Sequence, residues 1–315
     1  MKMKSLLAAL FILLAIQSLG AKGIDTTAVV TIGGIQQFIS IKGQDAANSV
    51  LFYLHGGSGA SVSSHREQVT GELEEHFVVV HWDQRGSGKT RELNGDSPTP
   101  SMSRMKQDAE EVFAYILDRF EREEVVVLGN SWGTVLGFHL VQVYPKMVKS
   151  FIAISPIINH RESQQLAFAT LQAHFSAREN ESALAQLQSV AIPITNAEQM
   201  LILHRWETVF SGGSFPDEQF EHYLNYFKQW EQQWMPVYAE LYSLDLANQI
   251  AKIDCPLFVL QGDQDLTTNY QVVGSFFDQV AAPEKELIWL EGIGHNIPGT
   301  ASEAMQDIIL RSLVN

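Results

Sequence analysis

The sequence predicts an α/β protein built on a doubly wound, mostly parallel β-sheet. Short, nearly continuous apolar runs recur along the chain, as expected of strands that helices cover on both faces. Helical patterns lie between most of these runs, and this alternation is typical of a parallel α/β sheet. One stretch, residues 157–248, contains no convincing strand and predicts a helical insertion.

The predicted elements begin with a hairpin over residues 28–41. Gly33 and Gly34 supply the positive φ that its tight turn requires. Each later strand is predicted where an apolar run ends in glycine or a polar cluster. The predicted strands are 50–54, 77–80, 125–128, 151–154, 257–260 and 287–290, and the clearest predicted helices are 108–121, 134–144 and 302–314.

The chain therefore divides into a core and an insertion. The core is predicted over residues 21–156 and 249–315, and a helical cap over 157–248. In open α/β sheets, ligands bind at the carboxyl ends of the strands. We expect the cap to pack over that edge.

The N-terminus predicts a signal peptide over residues 1–20. Lys2 and Lys4 precede an apolar run over residues 6–16, and the small residues Ser18 and Gly20 suit cleavage. The run is shorter than the ~20 residues that span a bilayer. We expect export to the periplasm or the medium, with no stable membrane insertion after cleavage. A short anchor or a buried helix is the alternative.

Composition excludes several classes of protein. The hydrophobic content of 45% excludes a disordered chain. The formal net charge of −15 argues against a nucleic-acid partner, because phosphate binding needs clustered basic residues. Cys255 is the one cysteine, so no intrachain disulfide is possible. No HExxH or paired metal spacing occurs, and we expect neither a metal nor an organic cofactor.

The strongest functional motif is Gly129-Asn130-Ser131-Trp132-Gly133. It follows a predicted strand and opens a predicted helix, which is the context of the GxSxG nucleophile elbow. Glycines on both flanks leave room for a sharp turn with a strained serine. The helix dipole would favour negative charge developing beside Ser131. An incidental serine in a glycine-rich turn is the alternative.

An activating base and its partner acid are predicted after the last two strands. Asp265 and His295 follow Ser131 in the chain order that this elbow requires. His295 would accept the serine proton, and Asp265 would hold the imidazole tautomer. Asp263 is the alternative acid, unless it caps the turn.

An oxyanion hole requires two backbone N–H groups. Trp132, directly after the nucleophile, is one predicted donor. The other is Gly57, with Gly56 as the alternative, in the loop after the predicted strand 50–54. His55 is expected to fix this loop rather than to act on the substrate.

Three motifs together resemble the proline iminopeptidase branch of the α/β-hydrolases. The resemblance covers the core, roughly residues 28–156 and 249–315. It implies an eight-stranded sheet, a helical cap and a triad of Ser131, Asp265 and His295. The motifs are His55-Gly56-Gly57-Ser58-Gly59, Asp83-Gln84-Arg85-Gly86-Ser87-Gly88-Lys89-Thr90 and Gly129-Asn130-Ser131-Trp132-Gly133.

The second of these motifs contains an acidic and a basic residue two positions apart. Asp83 and Arg85 are expected to bridge loops of the core. Contact between Arg85 and the substrate is the alternative.

The predicted function is that of an exported serine hydrolase acting through an acyl-enzyme. The resemblance favours an aminopeptidase that removes an N-terminal residue from a small peptide, with proline as the suggested residue. A carboxylesterase of small esters is the first alternative. A non-catalytic ligand-binding protein on a hydrolase scaffold is the second.

An aminopeptidase must also bind a free α-amino group. A cation in a partly dry pocket needs a carboxylate partner, and the resemblance implies glutamates of the cap. Two Trp-Glu pairs offer Glu207 and Glu231 as candidates. The alternative is that the aromatic residues form core and that the glutamates face water.

Overall fold

The computed structural model describes residues 22–57, 59–95 and 100–314. The predicted signal peptide, residues 1–20, lies outside the described residues. Within them, eight strands form one sheet in the order β1-β2-β4-β3-β5-β6-β7-β8. The strands are β1 (Ile24–Ile32), β2 (Ile35–Gly43), β3 (Val50–Leu54), β4 (Val78–Asp83), β5 (Val125–Asn130), β6 (Val148–Ile154), β7 (Leu257–Gly262) and β8 (Lys285–Leu290).

The sheet is parallel except at one edge. β1 and β2 form the predicted hairpin, and β2 also pairs antiparallel with β4. The pairs from β4 through β3, β5, β6 and β7 to β8 are all parallel. The carboxyl ends of β5, β7 and β8 therefore meet along one edge of the sheet, and this edge carries the polar loops discussed below.

Helices cover both faces of the sheet, and a group of helices is inserted between β6 and β7. The helices that flank the sheet are α1 (Arg66–Thr70), α2 (Gly88–Asn94), α3 (Met102–Phe120), α4 (Trp132–Val143), α10 (Tyr270–Gln279), α11 (Ile297–Thr300) and α12 (Ser302–Val314). The inserted helices are α5 (His160–Ser176), α6 (Glu181–Gln188), α7 (Ala197–Phe210), α8 (Asp217–Leu241) and α9 (Leu246–Gln249).

The buried strands have an apolar layer on each side. In β3, Val50, Phe52 and Leu54 belong to the layer that contains buried residues of α3 and α4. Leu51 and Tyr53 belong to the opposite layer, which contains buried residues of α12. Because successive side chains of a strand point to opposite faces, burial of both faces requires the continuous apolar runs seen in the sequence.

The predicted fold class, an α/β-hydrolase fold with a mostly parallel eight-stranded sheet and inserted helices, is confirmed. Several predicted elements begin earlier than their apolar patterns indicated, and the difference is largest for helix α3. Helix α3 starts at Met102 rather than at residue 108, because the Ser101 side chain caps it by accepting the Arg104 N–H at 3.2 Å. None of the described helices combines the length and apolar character needed to cross a membrane.

Candidate active site

Ser131 lies on the sharp turn between β5 and α4. Its backbone has φ 48° and ψ −115°, a region that few non-glycine residues adopt and that costs about 1–3 kcal/mol. A hydrogen bond from the Ser131 N–H to the Ile154 carbonyl, 2.8 Å long, holds this backbone against β6. The strained turn presents the hydroxyl at the edge of the sheet.

The two glycines of the motif are required by close backbone contact. A Cβ atom on Gly129 would lie 2.8 Å from the Gly133 carbonyl oxygen, and one on Gly133 would collide with the Leu54 carbonyl. Helix α4 can therefore start against β3 and β5 only if both positions lack a side chain. The prediction that the turn requires glycine on both flanks of the motif agrees with the structure.

His295 and Asp265 meet Ser131 across the sheet edge. His295 follows β8, and its Nε2 lies 2.9 Å from Ser131 Oγ. Its Nδ1 lies 3.0 Å from Asp265 Oδ2. Asp265, which follows β7, is fully buried and also accepts hydrogen bonds from the Thr268 N–H and hydroxyl at 3.0 and 2.7 Å. The three side chains form one hydrogen-bonded chain.

The pKa values of the pair move in opposite directions. Burial acts to raise the pKa of Asp265, but the charge and hydrogen bond of His295, with those from Thr268, outweigh it and lower that pKa. Burial acts to lower the pKa of His295, and the Asp265 carboxylate outweighs it and raises that pKa above 6.5. Asp265 is therefore an anion that favours the imidazolium form of His295.

Asp263, the alternative acid, occupies a different position. Its Oδ1 accepts the Gly292 N–H at 2.8 Å and so ties the loop after β7 to the loop after β8. This arrangement fits the predicted capping role of Asp263. The geometry places Asp265 against the imidazole.

The predicted oxyanion donors border the same space as Ser131. Gly57, with φ 43°, and Trp132 both line the cavity above the serine. Trp132 is the first residue of α4, where a backbone N–H has no acceptor within its own helix. Gly56 lies deeper, where an added Cβ atom would come within 2.8 Å of Asn130 Nδ2. The arrangement favours Gly57 over Gly56.

Gln84 connects the two segments that carry the predicted donors. The sequence analysis missed this role, although the residue lies in a quoted motif. The Trp132 indole N–H donates to Gln84 Oε1 at 2.9 Å. Gln84 Nε2 donates to the His55 carbonyl at 3.1 Å, and the Gln84 N–H donates to His55 Nε2 at 3.3 Å. Gln84 is fully buried. One amide therefore fixes the distance between the Gly57 loop and Trp132.

His55 and Arg85 both lie in structural networks. His55 Nε2 accepts from Gln84, so its Nδ1 carries the proton and donates to the Gly56 carbonyl at 3.0 Å. Arg85 is buried, with its Nε 2.8 Å from Asp108 Oδ2 and one Nη donating to the Gly33 carbonyl at 2.9 Å. Arg85 thus joins the loop after β4 to α3 and the first hairpin. Its carboxylate partner is Asp108, whereas Asp83 accepts hydrogen bonds from the Ser63 hydroxyl and the Lys89 N–H.

A cavity of about 270 Å³, here called the main cavity, lies above Ser131 between the sheet edge and the inserted helices. Its floor contains Ser131 and His295. The inserted helices supply a largely apolar wall, which includes Met200, Leu203, Tyr226, Phe227, Trp230 and Tyr238. The cavity therefore suits an apolar group joined to a reactive carbonyl.

The two candidate glutamates lie in different places. Glu207 lines the main cavity, and its Oε2 accepts the Thr267 hydroxyl at 2.8 Å. Burial raises the pKa of Glu207 to about 7, although the Thr267 hydrogen bond opposes the rise. Glu231 instead accepts the Ala197 N–H at 2.9 Å and so caps the start of α7. Glu231 is not among the residues that line the main cavity.

No group of three or more His, Cys, Asp or Glu side chains among the described residues could hold a metal ion.

Fold and site together define the class of protein. Residues 49–300 match the family model described as the alpha/beta hydrolase fold. The chain belongs to this family, and hydrolysis is the general kind of chemistry that the fold and its relatives support.

Relatives agree with the resemblance read from the motifs. The chain is 24% identical to the probable aminopeptidase YbaC of Bacillus subtilis (strain 168) over 292 residues, covering 87% of this chain and 92% of that protein. Proline iminopeptidase of Mycobacterium smegmatis is similar in structure, with a TM-score of 0.66 and 19% identity over 91% of this chain and 97% of that one. The proline iminopeptidase-related protein of Thermus thermophilus gives a TM-score of 0.63 and 21% identity over 92% of this chain and 98% of that one. The predicted resemblance to the proline iminopeptidase-like branch is confirmed.

Proposed function

We propose that this chain is a serine aminopeptidase of the proline iminopeptidase type, which acts through an acyl-enzyme. The observation that carries the proposal is the continuous hydrogen-bonded chain from Ser131 Oγ through His295 to Asp265. A serine hydroxyl is a weak nucleophile until a base within hydrogen-bond reach accepts its proton, and His295 Nε2 is within that reach.

The first half of the reaction forms the acyl-enzyme. Ser131 Oγ attacks the substrate carbonyl carbon while its proton passes to His295 Nε2. Negative charge develops on the carbonyl oxygen, where the N–H groups of Trp132 and Gly57 stabilise it. His295 then gives the proton to the leaving nitrogen as the C–N bond breaks, and the free amine departs.

The second half reverses these roles with water. His295 takes a proton from a water molecule, the hydroxide oxygen bonds to the acyl carbon, and the bond to Ser131 Oγ breaks. The proton returns to Ser131, and the acid product departs. Asp265 stabilises the imidazolium of His295 in both halves.

Glu207 is the proposed partner of the substrate α-amino group. It is the carboxylate that lines the main cavity, and it lies near enough to His295 to affect the pKa of that residue. A substrate ammonium beside Glu207 would favour its ionised form and so offset the effect of burial. The charge-assisted contact would place the N-terminal residue of the substrate over Ser131.

A carboxylesterase is the second candidate, because the inserted helices give the main cavity a largely apolar wall. Paired substrates separate the two functions. We expect turnover of a prolyl arylamide that has a free amine. Turnover of simple uncharged esters without any turnover of free-amine arylamides would favour the esterase.

Covalent labelling separates either enzyme from a non-catalytic binding protein. A fluorophosphonate should add to the wild-type chain in a one-to-one ratio, detected by intact mass. Ser131→Ala should block the addition while thermal unfolding stays close to that of the wild type. Labelling of the Ser131→Ala variant would place the nucleophile elsewhere.

We also propose that residues 1–20 are a signal peptide and that the mature protein is exported. The support is the pattern of two lysines, a short apolar run and small residues before Ala21. Intact mass of the protein recovered outside the cytoplasm should correspond to residues 21–315. Recovery of the uncleaved chain in the cytoplasm alone would overturn export.

A further inference from the structure

A second cavity adjoins the main cavity at the proposed active site. This side cavity, of about 370 Å³, lies between the end of α7 and the loops after β7 and β8. The two cavities meet at four shared residues, His204, Glu207, Thr267 and His295. These four residues form the boundary between the two cavities, so a ligand that extends from Ser131 across this boundary would pass beside His295 and Glu207.

The linings of the two cavities differ in chemistry. The main cavity has an apolar, aromatic wall, whereas the side cavity combines the apolar Leu266 and Ile293 with several uncharged polar side chains. These are Thr208, Ser211, Gln264, Asn296 and Thr300. The outer end of the side cavity lies at the surface, where Gly213 and Gly292 are exposed. A peptide backbone, which brings one donor and one acceptor per residue, suits such a lining.

The direction of proton transfer indicates which part of a substrate lies on this side. In the tetrahedral intermediate, the oxyanion faces Trp132 and Gly57, and the leaving nitrogen must face His295 Nε2, which supplies its proton. The N-terminal side chain of the substrate fits the apolar wall of the main cavity. The chain beyond the leaving nitrogen is thus directed past the His295 ring.

We infer that the side cavity binds the leaving part of the substrate, the first residues of the peptide after the cleaved bond. This inference rests on the proposed aminopeptidase function. Among the described residues that line the side cavity, none is Lys or Arg, and Glu207 is acidic. The site therefore suits an uncharged peptide backbone better than a free carboxylate, and the substrate class is peptides that continue beyond two residues.

The test compares two substrates that share one acyl group. Prolinamide releases only ammonia and does not reach the side cavity, whereas amidated Pro-Gly-Gly places two residues in it. Both form the same prolyl-enzyme, so their kcat/KM values differ only through binding and acylation. In the wild type, the tripeptide amide should have the higher kcat/KM.

Two substitutions, each on a different structural element, then narrow the side cavity. Thr300→Trp fills it from α11, and Ser211→Trp fills it from the end of α7. The measured quantity is kcat/KM for the tripeptide amide divided by kcat/KM for prolinamide. Each substitution should lower this ratio by about tenfold, because a loss of that size corresponds to one or two hydrogen bonds. The ratio is taken within one protein sample, so a partly unfolded variant does not change it. Thr27→Trp, on an exposed face of β1, is the matched control and should leave the ratio unchanged.

The outcomes distinguish this inference from the function on which it rests. An unchanged ratio in both filled variants, with amides still cleaved, would overturn the leaving-group site and leave the aminopeptidase intact. Cleavage of prolyl methyl ester without cleavage of either amide would overturn the aminopeptidase proposal and this inference with it.

Discussion

Replacing Glu207 with glutamine tests the proposed amine contact directly. The amide has the same shape as the carboxyl group, and its oxygen can still accept the Thr267 hydroxyl that now contacts Oε2 at 2.8 Å. The substitution therefore removes the charge and leaves the local packing in place. A hydrogen bond to a charged group contributes about 1.5–3 kcal/mol. That range predicts a loss of roughly 10- to 150-fold in kcat/KM for a prolyl arylamide.

The assay needs two controls. One is a substrate without an ammonium group, and the other is a variant at a glutamate that does not line the main cavity. A simple uncharged ester presents no cation, so its kcat/KM should hardly change in Glu207→Gln. Glu231→Gln is the matched control, because Glu231 is the glutamate of the other Trp-Glu pair and binds the Ala197 N–H outside the main cavity. Equal losses on arylamide and ester would refute the reasoning and show a packing role for Glu207. No loss on the arylamide would leave the aminopeptidase proposal without its ammonium contact.

Three further predictions concern the pH dependence of the reaction, the acid that partners His295, and Gln84. For an uncharged ester, kcat/KM should rise with pH, and the midpoint of the rise should lie above pH 6.5. Only neutral His295 accepts the serine proton, and Asp265 raises the pKa of His295. A midpoint below pH 6.5 would show that burial, which lowers the pKa of His295, outweighs the effect of Asp265. Asp265→Asn should reduce kcat by about 10⁴-fold, the effect of the wrong histidine tautomer in a well-studied serine protease. Asp263→Asn should reduce it far less, and the reverse order would make Asp263 the acid. Gln84→Leu should lower kcat on the order of 10²-fold, the cost of displacing groups at a reacting centre by about 1 Å. The KM of Gln84→Leu and the fraction of its molecules that a fluorophosphonate labels should stay near the wild-type values. If the labelled fraction fell as much as kcat, the variant would be misfolded instead.

Positions at the ends of strands were predictable from the sequence. Ser131 and Asp265 each follow an apolar run that forms a buried strand, whereas the run before His295 forms the partly exposed edge strand β8. Parallel strands bring their carboxyl ends to one edge, so residues more than a hundred positions apart could be expected to meet. The glycines around Ser131 were equally informative, because no other residue fits where α4 starts against β3.

The choice between near-identical candidates depended on packing. Asp263 and Asp265 lie two residues apart in one loop, and only the fold directs Asp265 toward the imidazole and Asp263 toward the Gly292 N–H. The role of Gln84 likewise requires three loops to meet, and no local pattern in the sequence reports that meeting.

The sequence alone determined the fold class, the elbow and the order of the proposed triad, because strand burial and backbone sterics act through local residue patterns. Only the tertiary structure separated Glu207 from Glu231 and revealed the side cavity. Both glutamates follow a tryptophan on a helix, so their local signals are alike. Which of them faces the cavity depends on how α7 and α8 are rotated against the sheet edge, and that rotation is set by long-range packing between helices and core.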